Sequence, residues 1–192
     1  METGAEKDRG LVIVIMGVSG AGKSTIGGLL SKDLDCPFLD ADDFHPDENK
    51  EKMRNGIPLS EDDRRPWLEK LRNAIAHYIL SGQTAVLACS ALRRSYRLIL
   101  RSAGDGIGTR GKVVFVHLNG SQELFESRLA ARFKEGTHFM PPSLLQSQLS
   151  LLEEEDEGDF NSCFISVDAS LSPDFLVKQI ARTEKRWKLP AA

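Results

Sequence analysis

An octapeptide near the start of the chain has the residue types needed to hold a phosphate chain. Residues 17–24 read Gly-Val-Ser-Gly-Ala-Gly-Lys-Ser and match the pattern G-x-x-x-x-G-K-[ST] at every position. Glycines let consecutive N–H groups converge on phosphate oxygens at a helix N-terminus, whereas a glycine-rich connection without this role would need no lysine and hydroxyl at fixed positions. The predicted ATP-binding residues are Gly17, Ser19, Gly20, Ala21, Gly22, Lys23, Ser24 and Thr25, with Ser24 also on Mg²⁺.

A group of acidic residues follows the second apolar run. Asp40 and Asp42 are two apart, so on an extended strand they would share one face, with one suited to the Mg²⁺ shell and the other to an acceptor hydroxyl. A helix-capping role is the alternative, and it is at least as good for Asp43. His45, before Pro46, is interpreted either as a substrate contact or as an anchor of the loop.

The elements that would position these residues alternate along the chain. Apolar runs of strand length lie at residues 11–16, 37–40, 84–90, 112–118 and 163–167, and helical patterns lie at 23–34, 46–54, 61–81, 93–102, 121–133, 142–153 and 173–187. Repeated βαβ units predict a parallel sheet, and continuous apolar runs predict helices on both of its faces. The fold class expected is α/β, a three-layer P-loop NTPase fold with a five-stranded parallel sheet.

Composition bounds the class of protein. The chain has 192 residues, 41% hydrophobic and 28% charged residues, and a formal net charge of -3, so we expect a single domain over 1–192 and no nucleic-acid partner. No apolar run is long enough to span a bilayer, and residues 1–10 lack the features of a targeting signal, so we expect a flexible tail, no membrane partner and a cytoplasmic location. The acidic run at 153–159 is interpreted as a solvated helix end and loop.

Several longer blocks resemble the small gluconate kinases, which are related to shikimate kinases and nucleoside monophosphate kinases. The resemblance covers roughly residues 12–167 and rests on MGVSGAGKST, DADDFHP, NKEKMRNGIPLSEDDRRPWL, LACSALRRSYRLILR and GTHFMPPSLLQSQ. It implies ATP-dependent phosphorylation of D-gluconate, substrate-binding helices at about 44–82, a mobile lid at about 128–142 and a homodimer. It also implies that Asp42 orients and deprotonates the acceptor hydroxyl and that Asp40 is an outer-sphere partner of Mg²⁺.

The resemblance further implies a set of substrate contacts. Arg64 is similar in place to the arginine that binds the substrate carboxylate in shikimate kinases; the alternative is a surface salt bridge with Glu61 or Asp62. The segment CSALRRSYR is expected to donate hydrogen bonds to the sugar acid, although it departs slightly from relatives that often carry lysine at 93 or 94. The alternative interpretation of this segment is an ordinary basic helix face. The predicted substrate-binding residues are Asp42, His45, Arg64, Ser90, Arg93, Tyr96, Arg97 and His138.

Two arginines of the lid-like segment complete the predicted site. Arg128 and Arg132 are spaced i,i+4 and so share one helix face; one is expected to stack on adenine and the other to stabilise charge on the transferring phosphoryl group. The alternative is surface pairing with Glu126 or Glu135. The predicted catalytic residues are Lys23, Asp42 and Arg132. Other functions left open are a kinase for shikimate or another polyol acid, and a nucleotide-dependent switch, although the Asn-Lys-x-Asp element that reads guanine in such switches is absent.

Overall fold

A single parallel sheet organises the part of the chain that the structure describes. The computed structural model describes residues 10–104, 112–134, 142–155 and 163–187. Within these ranges the strands follow the order β2-β3-β1-β4-β5. They are β1 (Leu11–Met16), β2 (Phe38–Asp40), β3 (Thr84–Ala88), β4 (Lys112–Asn119) and β5 (Phe164–Asp168). The predicted five-stranded α/β fold is confirmed.

Helices connect the strands, and their ends lie within two residues of the predicted bounds. They are α1 (Lys23–Asp33), α2 (Asp47–Arg54), α3 (Glu61–Leu80), α4 (Arg94–Arg101), α5 (Gln122–Lys134), α6 (Pro142–Leu151) and α7 (Pro173–Trp187). Two short 3₁₀ turns, Ala41–Phe44 and Ser102–Gly104, were not predicted. The first matters for function because it carries part of the acidic group.

Both faces of the sheet are covered, as the continuous apolar strands predict. Ile13 of β1 packs in one cluster with Leu30 of α1 and Ile180 of α7. The next residue, Val14, points to the opposite face and packs in a second cluster with Leu71 of α3. All five side chains are fully buried. Two hydrophobic cores therefore clamp β1 from both sides and fix the loop that follows it.

Serine residues set the start of three helices. Ser60, Ser121 and Ser172 each accept a hydrogen bond through the side-chain oxygen from the backbone N–H three residues later, at 3.1, 3.2 and 3.4 Å. At α3 the cap is reciprocal, because the Asp63 carboxylate also accepts from the Ser60 N–H. The helical patterns predicted from residues 61, 121 and 173 thus begin within one residue of the observed helices, and the α3 cap fixes the helix turn that carries Arg64.

The carboxyl ends of the parallel strands meet at one edge of the sheet, so the segments after β1, β2 and β3 are brought together there. Some predictions fall outside the described residues: the tail at 1–9, the lid segment at 135–141 with its His138, and residues 156–159 of the acidic run. In the described part of the chain, no helix combines the length and apolarity that crossing a membrane requires.

Candidate active site

The loop after β1 has the backbone geometry of an anion cradle. Gly17, Gly20 and Gly22 have φ values of 147°, 82° and 99°, a region that other residues rarely adopt. A Cβ at Gly20 would lie 2.9 Å from the Phe125 carbonyl oxygen, so α5 also requires glycine there. Gly22 is the N-cap of α1 and supplies no side chain to the first helical N–H groups. Those groups, at the positive end of the helix dipole, are suited to bind phosphate.

Lys23 lies within this cradle. Its Nζ donates a hydrogen bond to the Val18 carbonyl oxygen at 3.0 Å. Burial lowers the pKa of the Lys23 ammonium, the charges of Asp42 and Asp40 partly counteract this, and Arg132 lowers it further. A phosphate group beside Lys23 would add negative charge and so favour the charged ammonium. The electrostatic coupling to Asp42 and Arg132 brings all three predicted catalytic residues into one neighbourhood.

The acidic group faces the phosphate loop, but in a different conformation from the one predicted. The Asp40 carboxylate accepts a hydrogen bond from Ser24 Oγ at 3.1 Å through one oxygen and from the Asp42 N–H at 3.0 Å through the other. The strand ends at Asp40, and Asp42 lies in the 3₁₀ turn Ala41–Phe44 that Asp40 caps. The prediction that Asp40 and Asp42 share a strand face was wrong, because the Asp40 cap turns the backbone before Asp42.

The hydroxyl of Ser24 and the carboxylate of Asp40 provide hard oxygen donors, which is the chemistry that Mg²⁺ prefers. Among the described residues no cluster of three or more His, Cys, Asp or Glu side chains could hold a metal ion by itself. In P-loop sites few protein ligands suffice, because the substrate phosphates and water complete the octahedral shell of Mg²⁺.

A buried network holds the 3₁₀ turn against α2 and α3. Trp67 Nε1 donates to the Ala41 carbonyl oxygen at 2.8 Å, and the His45 ring stacks on Trp67 with centroids 4.4 Å apart. Asn49 Nδ2 lies 3.3 Å from His45 Nδ1 and donates to the Asp63 carbonyl oxygen at 2.7 Å. Burial lowers the pKa of His45 to about 4, with Lys50 and Arg64 contributing. These contacts favour the interpretation of His45 as an anchor of the loop that carries Asp42.

Three of the predicted substrate-binding residues converge on Glu61, at the first position of α3. Arg64 Nη1, Arg93 Nη1 and Tyr96 Oη lie 3.3, 3.2 and 2.8 Å from the same atom, Glu61 Oε1. Burial and the Glu61 hydrogen bond raise the pKa of Tyr96. The Arg64 salt bridge with Glu61 foreseen as an alternative is present, yet it belongs to a cluster of donors drawn from α3, α4 and the loop after β3. Such a cluster can bind a carboxylate.

Arg97 is not available to a substrate. Its side chain is 0% exposed, and its Nε forms a buried ion pair with Glu155. Its Nη atoms donate to the carbonyl oxygens of Ala91, Leu92 and Glu153 at 2.8, 3.0 and 2.8 Å. The predicted substrate contact is therefore replaced by a structural role. Ala91 has a φ of 44°, and Arg97 stabilises this strained loop between β3 and α4.

Two residues of the acidic run, Glu153 and Glu155, depart from its interpretation as a solvated helix end and loop. The Glu153 carboxylate accepts a hydrogen bond from the Arg94 N–H at 2.6 Å and so caps the start of α4. Its own N–H donates to the Leu92 carbonyl oxygen at 2.9 Å. Glu153 and Glu155 thus fasten the end of α6 to the loop that carries Arg93. Sequence reasoning missed this role because a run of like charges carries no signal for its distant partners.

The remaining predicted residues lie around the phosphate loop. Arg128 Nη1 donates to the Ala21 carbonyl oxygen at 3.2 Å and Nη2 donates to the Ala169 carbonyl oxygen at 2.6 Å. Arg128 therefore bridges the phosphate loop and the segment after β5. Ser90 contributes its carbonyl oxygen, which accepts from the Gly17 N–H at 3.3 Å, and Thr25 is exposed in the first turn of α1.

One further contact to the loop was not predicted. Gln148 of α6 accepts a hydrogen bond from the Ser19 N–H at 2.7 Å through its side-chain oxygen. No motif signals this contact, because it depends on how the end of α6 packs over the sheet edge.

The fold and the site together define a P-loop kinase: a parallel sheet between two layers of helices, a phosphate loop with Lys23 and Ser24, and carboxylates that face this loop. Residues 19–158 match the family model described as shikimate kinase. A gluconokinase of Arabidopsis thaliana is 51% identical over 176 residues, covering 89% of this chain and 90% of that protein. A gluconokinase of Gluconobacter oxydans is 41% identical over 170 residues, covering 88% and 89%.

A solved structure gives the same result. The crystal structure of a gluconokinase from Sinorhizobium meliloti 1021 superposes with a TM-score of 0.76 at 37% identity, covering 93% of this chain and 96% of that one. The chain belongs to the gluconokinases, a branch of the shikimate kinase family. The resemblance, the enzyme class and the fold predicted from the sequence are confirmed.

Proposed function

We propose that this enzyme transfers the γ-phosphoryl group of ATP to the terminal hydroxyl of D-gluconate and forms 6-phospho-D-gluconate. The observation that carries the proposal is the placement of Asp42 and Asp40 beside Lys23 and Ser24, which brings an acidic pair to the phosphate cradle. The names of the related gluconokinases support the choice of acceptor.

The reaction forms a bond between the acceptor oxygen and the γ-phosphorus. It breaks the bond between that phosphorus and the oxygen that bridges the β- and γ-phosphates of ATP, and this oxygen leaves with ADP. Asp42, exposed at the edge of the site, accepts the hydroxyl proton and holds the oxygen in line with the phosphorus. Lys23 and the N–H groups of the phosphate loop hold the β- and γ-phosphates. Arg132 adds positive charge beside Lys23, where the transferring phosphoryl group would lie.

Mg²⁺, when bound, neutralises charge on the β- and γ-phosphates. Ser24 would be its direct ligand, and Asp40 would act through a bound water. The hydrogen bond from the Asp42 N–H to Asp40 ties this carboxylate to the residue that handles the acceptor. Arg128, which reaches from the phosphate loop to the segment after β5, is in place to border the adenine.

The acceptor is held by the cluster around Glu61. Arg64, Arg93 and Tyr96 supply two guanidinium groups and one hydroxyl at a single point, which suits one carboxylate and the adjoining hydroxyl of a sugar acid. A neutral polyol presents no charge to these groups.

A kinase assay with three acceptors tests the proposal. The specificity constant, kcat/KM, is measured with ATP and D-gluconate, D-sorbitol or shikimate. Sorbitol shares the terminal hydroxyl of gluconate but has a second CH2OH group in place of the carboxylate. We expect a preference for gluconate of about 10²-fold or more, because sorbitol cannot form the charge-assisted hydrogen bonds that a carboxylate forms with Arg64 and Arg93. Equal use of sorbitol would remove the carboxylate from recognition, and a preference for shikimate would replace gluconate as the substrate.

The family resemblance supports an assembly of two copies. We propose a homodimer that works in the cytoplasm. Size-exclusion chromatography with light scattering measures the oligomeric state directly, and a monomeric mass for the active enzyme would contradict the dimer.

A further inference from the structure

Glu61 places a carboxylate where the proposed substrate would place its own. Its Oε1 atom lies within 3.3 Å of one nitrogen of Arg64, one nitrogen of Arg93 and the hydroxyl of Tyr96. Three donors from three segments of the chain on one oxygen are more than a simple i,i+3 helix pair provides. Two like-charged guanidinium groups this close need an anion between them.

The contacts are those of a group that can leave. The Glu61 side chain is 53% exposed, and it stands in the first turn of α3, beside solvent. Its two arginine contacts, at 3.2 and 3.3 Å, are longer than the 2.7–2.9 Å of a strong charge-assisted hydrogen bond. Arg97, by contrast, is held by four partners and fully buried. Exposed ion pairs of this kind are weak, so a second carboxylate can replace Glu61.

We propose that Glu61 is a placeholder carboxylate: it holds Arg64, Arg93 and Tyr96 in position while the site lacks an acceptor, and the carboxylate of the sugar acid displaces it on binding. This inference rests on the proposed function and deepens it. The exchange trades one anion for another, so it favours acidic acceptors over neutral ones. It also lowers the affinity for the substrate, because displacing Glu61 from the arginines costs part of the free energy of binding.

The substitution Glu61→Gln tests the exchange, with Asp62→Asn as the matched control. Both remove one negative charge from the first turn of α3, but Asp62 contacts Arg65 at the surface, at 3.4 Å, and does not reach the cluster. Gluconate binding without nucleotide is measured by calorimetry, and KM and kcat are measured with ATP. We expect Glu61→Gln to lower Kd and KM for gluconate about threefold to tenfold, with kcat within about twofold, because only weak surface contacts must be replaced.

Two outcomes would contradict the proposed role of Glu61. An unchanged or raised KM in Glu61→Gln would mean that Glu61 does not compete with the substrate, and an equal fall in Asp62→Asn would mean a general charge effect. A thermal melt of each variant checks that the fold is kept. If the wild-type enzyme phosphorylates gluconate and Glu61→Gln binds it no more tightly, only this inference fails; if the wild type does not accept gluconate, the proposed function fails first.

Discussion

The two halves of the site are built in different ways. The phosphate half consists of one continuous segment, the loop after β1 and the start of α1, whose glycine torsions and Lys23 are set by local sequence. The acceptor half joins the 3₁₀ turn, α3, the loop after β3 and α4 through side chains that are far apart in sequence, such as Tyr96 and Glu61. The phosphate half is therefore fixed by the backbone, whereas the acceptor half depends on ion pairs and packing between elements.

Breaking the buried ion pair should damage the acceptor half most strongly. Arg97→Met leaves Glu155 charged without its guanidinium partner and removes the donors to three carbonyl oxygens. We expect a loss of about 3–5 kcal/mol in the free energy of unfolding, the usual cost of removing one partner of a buried pair. Urea unfolding followed by circular dichroism measures this loss.

The control is Arg65→Met, which breaks a surface pair whose members are 70% and 91% exposed, with an expected change within about 0.5 kcal/mol. In the folded Arg97→Met protein the KM for gluconate should rise more than the Kd for ATP, since the loop that carries Arg93 loses its support. Equal losses of stability in the two variants would contradict the structural role of Arg97.

A smaller effect should appear in the pH dependence of stability, through the buried network that holds the 3₁₀ turn against α2 and α3. The pKa of His45 is about 4 in the folded protein, against 6.5 for an ordinary histidine. Between these values the unfolded chain binds more protons than the folded one, so the free energy of unfolding falls as the pH drops from about 6.5 to about 4.

His45→Gln keeps a neutral side chain and removes this titration. Relative to its own value at pH 7, the variant should lose less stability on acidification than the wild type, by on the order of 1–2 kcal/mol at pH 4.5 after allowance for partial hydration of the ring. Urea unfolding at several pH values gives both curves. Parallel curves for the wild type and the variant would show that His45 is not held neutral.

The phosphate half and the fold were predictable from the sequence because their signals are local. The strand runs, the serine caps and the loop motif each lie within a few residues of what they specify, and Ser60 illustrates this with its partner Asp63. The acceptor half was harder to predict from the sequence. Its residues were suggested by family resemblance, and the resemblance could not distinguish the clustered Arg93 from the buried Arg97, because both lie in one basic segment.

Two errors have the same physical origin. Asp42 was placed on a strand because sequence alternation does not show that Asp40 caps a 3₁₀ turn. Glu153 and Glu155 were assigned to solvent because their partners Arg94 and Arg97 are more than fifty residues away. In both cases a side-chain hydrogen bond overrides the simple pattern: the bond from the Asp42 N–H to Asp40 is local, whereas those of Glu153 and Glu155 are tertiary.

The most direct measurement on the central claim compares Asp42→Asn with Asp43→Asn. The two variants remove the same charge at adjacent, exposed positions of one turn, but only Asp42 interacts with Lys23. We expect kcat for gluconate to fall about 10²- to 10⁴-fold in Asp42→Asn, with ATP binding retained, because the proton acceptor is lost. Asp43→Asn should stay within about twofold of the wild type. Normal turnover in Asp42→Asn, or an equal loss in Asp43→Asn, would contradict the account.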